Sequence, residues 1–254
     1  YTVMMQQKLQ SLLVATVVAI TVTSGAASAA PANTNCKVPA ECARFKTPLP
    51  ALKRTVASGK SLRIVALGSS STAGAGASSA KKRYPQQMAR TLRKKLPNVQ
   101  VWVDNHGKGG ALATHMLRRI KKKILSKTPT LVIWQTGVND AIRNVPLEKF
   151  RNTVLNGIEL LQGRSIDVVL IDPQYFPGEK KYADYNKYIM AMADVAKEKQ
   201  VPVLRRYDLM RHLVTSAQFK VGDLLAKDRF HLNDVSYACL GRVLGNALAN
   251  AAKK

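Results

Sequence analysis

Asp228 stands three residues before His231 in the stretch Asp228-Arg229-Phe230-His231-Leu232-Asn233. An acid at that spacing can fold back within one turn and hydrogen-bond one imidazole nitrogen, leaving the other free to take a proton from a hydroxyl. A hydroxyl for that purpose stands far upstream, in Gly68-Ser69-Ser70-Ser71-Thr72-Ala73-Gly74-Ala75-Gly76. A phosphate loop requires Gly-Lys-Ser/Thr and a dinucleotide loop Gly-x-Gly-x-x-Gly. Gly74-Ala75-Gly76 runs on into Ala77, Ser78 and Ser79, so neither pattern is met. Two readings remain: a serine raised on a sharp strand-to-helix turn, as nucleophilic hydrolases require, or a flexible turn without chemistry. By itself the segment favours the plain turn, and its standing depends on what lies at the neighbouring strand ends.

Two further stretches could serve an oxyanion. Asn105-His106-Gly107-Lys108-Gly109-Gly110 offers glycine N–H groups that can approach a ligand closely, although loops are commonly rich in glycine. Gln135-Thr136-Gly137-Val138-Asn139-Asp140 sets a short amide behind a glycine turn. That amide can donate to an oxyanion, and Asn-Asp equally suits a turn or a helix cap. In Asp172-Pro173-Gln174-Tyr175-Phe176-Pro177-Gly178, Tyr175 and Phe176 could stack on a sugar ring or pack the loop. His115 and His212 read as structural. Three Cys and four His without CxxC or HExxH spacing give no metal site.

Elements that would position these residues alternate along the chain. Short, nearly continuous apolar runs at 62–67, 99–103, 131–134, 168–171 and 201–204 predict strands buried on both faces. Helical patterns lie between them at 85–96, 112–125, 147–161 and 182–199, with a last one at 234–251. Strand alternating with helix implies right-handed crossovers and an α/β fold whose parallel sheet is covered on both sides. Chemistry in such sheets collects at the carboxyl ends of the strands, where the four stretches above fall.

The chain has 254 residues, 46% of them hydrophobic, and 40 Lys and Arg against 15 Asp and Glu, a net charge of +25. Ordinary apolar content without a glycine or proline period excludes disordered and collagen-like classes. The charge points to an anionic partner. Basic runs such as Arg118-Arg119-Ile120-Lys121-Lys122-Lys123 lack interleaved aromatics, which argues against nucleic acid. Lys8, an apolar run from Leu12 to Thr23 and Ala27-Ser28-Ala29 read as an export signal over residues 1–29, leaving no transmembrane segment after its removal. Residues 30–58, rich in Pro and Ala, read as a linker or strap, and 59–254 as the domain. Export permits disulfides, and Cys36 with Cys42 is the expected pair, with Cys239 a buried inert thiol.

In their order, Gly68-Ser69-Ser70-Ser71, Gly110, Gly137-Val138-Asn139-Asp140 and Asp228-Arg229-Phe230-His231 resemble the motifs of the SGNH hydrolases, the GDSL esterase and lipase superfamily, from about Ser61 onward. The resemblance implies a flavodoxin-like three-layer α/β/α sandwich with a mostly five-stranded parallel sheet, acting on esters without metal or cofactor. It implies Ser70 as nucleophile, His231 as general base and then acid, and Asp228 as its orienting residue. The oxyanion hole would be the N–H groups of Ser70 and Gly110 and the side chain of Asn139. Ser69 and Ser71 replace the Asp and Leu of the GDSL pattern, a mark of a subfamily. Family habit and export make acetyl esters of carbohydrate the expected substrate of a periplasmic or extracellular enzyme, with an anionic envelope polymer as partner. The alternatives are a lysophospholipase or short-chain lipid esterase, and a catalytically inactive binder of anionic polymer.

Overall fold

The structure, a computed structural model, describes residues 36–39 and 44–253. The export signal over residues 1–29, the start of the strap and Cys42 lie outside the described residues. Five strands form one parallel sheet: β1 (Leu62–Gly68), β2 (Val101–Gly107), β3 (Leu131–Gln135), β4 (Asp167–Ile171) and β5 (Val203–Leu204), in the order β2-β1-β3-β4-β5. β3 and β4 are buried at every position, as their continuous apolar runs require. On the edge strand β2 burial alternates instead, with Val101 inside and Trp102 56% exposed.

The chain runs from β1 out to β2 and then back across β1 to β3, which makes the carboxyl ends of β1 and β3 the point where the winding reverses. Gly68 pairs with Gly107, Leu67 with Trp134 and Gln135 with Ile171. This register aligns the strand ends, so the segments after them emerge side by side.

Among the described residues ten α-helical segments follow in chain order: α1 (Pro50–Ala57), α2 (Ser70–Ala73), α3 (Tyr84–Lys95), α4 (Ala113–Arg119), α5 (Val138–Ile142), α6 (Leu147–Gln162), α7 (Tyr185–Glu198), α8 (Arg206–Thr215), α9 (Val221–Leu224) and α10 (Asp234–Lys253). α10 packs against α1 and α3, and α6 against α4 and α7, which gives a three-layer α/β/α arrangement. Opposite directions of travel from β1 to β2 and from β2 to β3 place right-handed crossovers on opposite faces. No helix among the described residues is long and apolar enough to cross a membrane.

Three features depart from the sequence reading. Pro50–Ala57 is helical inside the expected strap, started by a proline at its first position, and Leu52, fully buried, donates its N–H to Asp167 Oδ2 at 2.8 Å. The helix expected at 112–125 holds α geometry only to Arg119, then loosens into a π turn (Ile120–Ile124) and a 3-10 turn (Leu125–Lys127). The third is a correction: Cys36 is bonded to Cys239, 203 residues away with a Cα separation of 5.9 Å, and not to Cys42. Cys239 is buried on α10, and Arg242 of the same helix donates to Cys36 Sγ at 2.9 Å, so packing and not nearness in sequence brings the sulfurs together.

Candidate active site

Ser70 is the first residue of α2, directly behind the end of β1. α2 lasts one turn because Gly74 takes the left-handed conformation (φ +93°) and returns its N–H to Ser70 O at 2.8 Å. The turn is fixed to the next strand through Gln135, the buried last residue of β3. Its Oε1 accepts from Ser69 N at 3.0 Å, Ser69 Oγ at 3.0 Å and Thr72 Oγ1 at 3.1 Å. On the other side Asn105 Nδ2 donates to Thr72 O at 2.7 Å, and a Cβ on Gly107 would lie 2.0 Å from Ala73 N. Only glycine lets β2 end against α2. Arg119 donates to the carbonyls of His106 and Gly68, closing the two strand ends from behind.

His231 Nε2 stands 2.9 Å from Ser70 Oγ, and His231 Nδ1 stands 2.5 Å from Asp228 Oδ2. The other Asp228 oxygen accepts the N–H groups of Phe230 at 3.0 Å and His231 at 2.9 Å, so the acid folds back within one turn. Partial burial alone would raise the Asp228 pKa; hydrogen bonds from the His231 ring and the two backbone N–H groups, with the His231 charge, bring it below the ordinary carboxylate value. With Asp228 ionised, Nδ1 carries the ring proton and Nε2 is left to accept the Ser70 hydroxyl. The loop is anchored by Ala226 N donating to His231 O at 2.7 Å, and Asn233 Oδ1 accepts from Val235 N and Ser236 N to open α10.

Gly110 has φ +67°, in the region glycine tolerates best, and lies on the loop after β2. That loop is tied to α5 twice. Asn139 Nδ2 donates to Ala111 O at 2.9 Å, and Ala113 N donates to both Asp140 oxygens at 3.1 and 3.2 Å. Burial pushes the Asp140 carboxyl up to about 6 against the opposing hydrogen bonds of Ala113, Asp140 and Gly137 N–H and the Arg143 charge. Lys108 N donates to Gly68 O at 3.1 Å, which fixes the same loop to the end of β1. An amide nitrogen has two hydrogens, so Asn139 keeps one beyond its bond to Ala111. The structure thus brings Ser70, His231 and Asp228 into direct contact and ties the loop of Gly110 to Asn139 through Ala111.

Of the two readings left open for Tyr175 and Phe176, sugar stacking and loop packing, Phe176 takes the second. Phe176 is only 4% exposed, its ring enclosed edge-on by Phe230 at 5.0 Å and Tyr185 at 5.5 Å. It offers no face to a sugar, because the aromatic cluster that supports the His231 loop consumes it. Tyr175 is half-buried and meets Tyr207 edge-on at 5.8 Å.

Sequence reasoning missed the group beneath the site. Gln174 Oε1 accepts from Ser71 Oγ at 3.2 Å and from Arg206 Nη1 at 3.5 Å, while its Nε2 donates to Phe230 O. One amide therefore links the turn of Ser70 to the loop of His231. Arg206 is completely buried and donates through Nε to Asp172 O at 3.0 Å. Its signal was present at the end of the fifth strand, where Arg205-Arg206 follows Val203-Leu204. Among the described residues no three His, Cys, Asp or Glu side chains converge to hold a metal.

Residues 35–254 match the Non-GDSL lipase-like family. No curated protein matches the chain in sequence. Its fold is similar to that of a two-domain esterase, CEX, active on acetylated mannans, with a TM-score of 0.71 at 21% identity over 86% of this chain and 57% of that one. It is similar also to a lipase/acylhydrolase from Enterococcus faecalis (TM-score 0.62, 24% identity, 74% and 96% covered) and to the acetyl xylan esterase AlAXEase (0.60, 24%, 74% and 98%). The chain spans a little over half the length of the mannan esterase.

Proposed function

Because the chain belongs to the Non-GDSL lipase-like family, a branch of the SGNH hydrolases whose chemistry is carboxylic ester hydrolysis, we propose that it is a serine esterase working through an acyl-enzyme on Ser70. The observation that carries this reading is the unbroken contact from Asp228 to His231 to Ser70, at 2.5 and 2.9 Å. Ser70 Oγ attacks the ester carbonyl while His231 Nε2 takes its proton, and Asp228 stabilises the imidazolium that forms. The tetrahedral oxyanion is received by the N–H groups of Ser70 and Gly110 and the second amide hydrogen of Asn139. Collapse breaks the bond to the alcohol, which leaves with the proton from His231. Water then attacks the acyl-enzyme with His231 again as base, releasing the carboxylic acid and restoring the Ser70 hydroxyl.

The acyl group is short, acetyl in the first instance, and the alcohol is a carbohydrate. Similar folds in proteins active on acetylated mannan and acetyl xylan support this reading. Export is supported by the apolar run ending in Ala27-Ser28-Ala29 and by the Cys36 to Cys239 disulfide, which needs an oxidising compartment to persist. Release of nitrophenol from acetate and octanoate esters by wild type and Ser70→Ala tests the proposal. Wild type should prefer acetate, and Ser70→Ala should abolish turnover without moving the thermal melt. Retained activity in Ser70→Ala would sink the nucleophile assignment, and a preference for octanoate would overturn the short acyl group.

A further inference from the structure

Arg143 caps the end of α5, four residues beyond Asn139, and its N–H donates to Asn139 O at 3.2 Å. Its guanidinium reaches over the loop after β2, so that a Cβ built on Gly110 would meet Arg143 Nη2 at 3.0 Å. The side chain is exposed, and so are Lys108, two residues before Gly110, and Arg118 on α4. None of the three is ion-paired among the described residues. The acid that senses Arg143 is Asp140, which is buried and holds its oxygens on backbone N–H groups. Arg119, by contrast, is engaged with the carbonyls of His106 and Gly68. His115 reports the same crowding: burial first, then Arg118, Arg143, Arg119 and Lys108 hold its pKa below the ordinary histidine value. Positive charge without a protein counter-ion is thus gathered on the side of the site where Gly110 and Asn139 stand.

We propose that Arg143 and Lys108 form an anion subsite beside the scissile ester, and that the substrate is an acetylated acidic polysaccharide whose uronate carboxylate docks there. This rests on the esterase reading and deepens it by naming the substrate class. A guanidinium suits the assignment because its planar fork can take a carboxylate through two parallel N–H donors, where an ammonium offers a point charge. The net charge of +25 acts in the same direction, drawing a polyanion to the surface before the subsite selects its register. Two exposed charge pairs supply a preference of up to about twentyfold over a neutral sugar. That preference should shrink as salt screens it.

The test compares kcat/KM on acetylated oligogalacturonate and acetylated xylo-oligosaccharide at low and high salt, for wild type, Arg143→Gln, Lys108→Gln and Lys95→Gln. Lys95 closes α3 at the end away from the strand carboxyl ends and controls for bulk charge. Wild type should favour the acidic substrate by about tenfold. Arg143→Gln should bring the ratio to within about twofold of unity, chiefly through KM, and Lys95→Gln should leave it unchanged. A wild-type ratio under about twofold, or an undiminished ratio in Arg143→Gln, overturns the subsite. An equal fall in Lys95→Gln assigns the preference to the overall field and overturns it as well. Binding of oligogalacturonate lacking acetyl groups to Ser70→Ala, with and without Arg143→Gln, gives a reading independent of turnover. Binding weakened by Arg143→Gln in a chain that hydrolyses no ester would sustain the subsite and sink the esterase. Hydrolysis without a charge preference would do the reverse.

Discussion

Asn139 has two amide hydrogens and one protein acceptor, the Ala111 carbonyl at 2.9 Å. That bond fixes the amide and leaves the second hydrogen free, so in the proposed oxyanion role Asn139 would donate without reorganising during the reaction. Asn139→Ala should lower kcat by about 10²–10³ with little change in KM, by comparison with measured losses of single oxyanion donors. It also removes the tie to Ala111, a buried hydrogen bond worth about 1 kcal/mol, so a drop of about 2–4 °C in the melt should accompany the loss. Steady-state kinetics on an acetate ester alongside thermal denaturation separates the two. A kcat loss under fivefold would leave Asn139 as a strut for the Gly110 loop and nothing more. Ser70 and His231 differ from Asn139 in this respect, since the roles proposed for them lie in proton transfer and not in fixing neighbouring backbone.

At the level of elements, the carboxyl ends of β4 and β5 rest on a buried polar layer made by Asp172, Gln174 and Arg206. Burial pushes the Asp172 carboxyl up to about 7, overcoming the hydrogen bonds of Tyr207 and Arg206 N–H and the Arg206 charge. An acid whose folded pKa lies above its unfolded value binds its proton more tightly when folded. Its contribution is therefore favourable below about pH 4 and is lost as the pH rises through about 7. The Asp140 carboxyl, at about 6, acts in the same sense. Asp172→Asn keeps the oxygen that accepts Tyr207 N at 3.1 Å and removes the titration. Between pH 5 and pH 8 the wild-type melt should fall by about 2–8 °C more than that of Asp172→Asn. Equal slopes would show that Asp172 does not titrate in this range. This layer was barely legible in the sequence: Arg206 is marked only by its place behind the fifth strand and Gln174 by nothing periodic, since each is defined by what closes over it. The strands were legible, since β3 and β4 are apolar at almost every residue, and so was the spacing of Asp228 and His231, which one local turn determines. α1 escaped notice because eight residues hold too few turns to show a period against the proline-rich background. Phe176 looked available because sequence does not distinguish an aromatic ring that stacks on ligand from one that stacks on Phe230 and Tyr185.

For the whole molecule, the charge of +25 and the Cys36 to Cys239 cross-link act on different things. The charge governs what approaches the surface, while the disulfide governs how the N-terminal segment is held. Cys36 and Cys239 join the segment before α1 to the second turn of the last helix, where Arg242 Nη2 also donates to Cys36 O at 3.4 Å. Closing a loop that spans nearly the whole domain removes more freedom from the unfolded chain than the short Cys36 to Cys42 loop would. In the chain-entropy picture the gain approaches about 5 kcal/mol, and native disulfides typically measure about 2–4 kcal/mol. Cys239→Ser should therefore lower the melt by about 5–15 °C. Its turnover on acetate ester at 25 °C should stay within about twofold of wild type, because Cys239 lies on α10 beyond the loop that carries His231. Peptide mapping without reductant should recover Cys36 joined to Cys239. A melt indifferent to Cys239→Ser, or a recovered Cys36 to Cys42 peptide, would mean that the strap is held by apolar contacts such as Phe45 and Leu49 with the core, and not by a covalent link to α10.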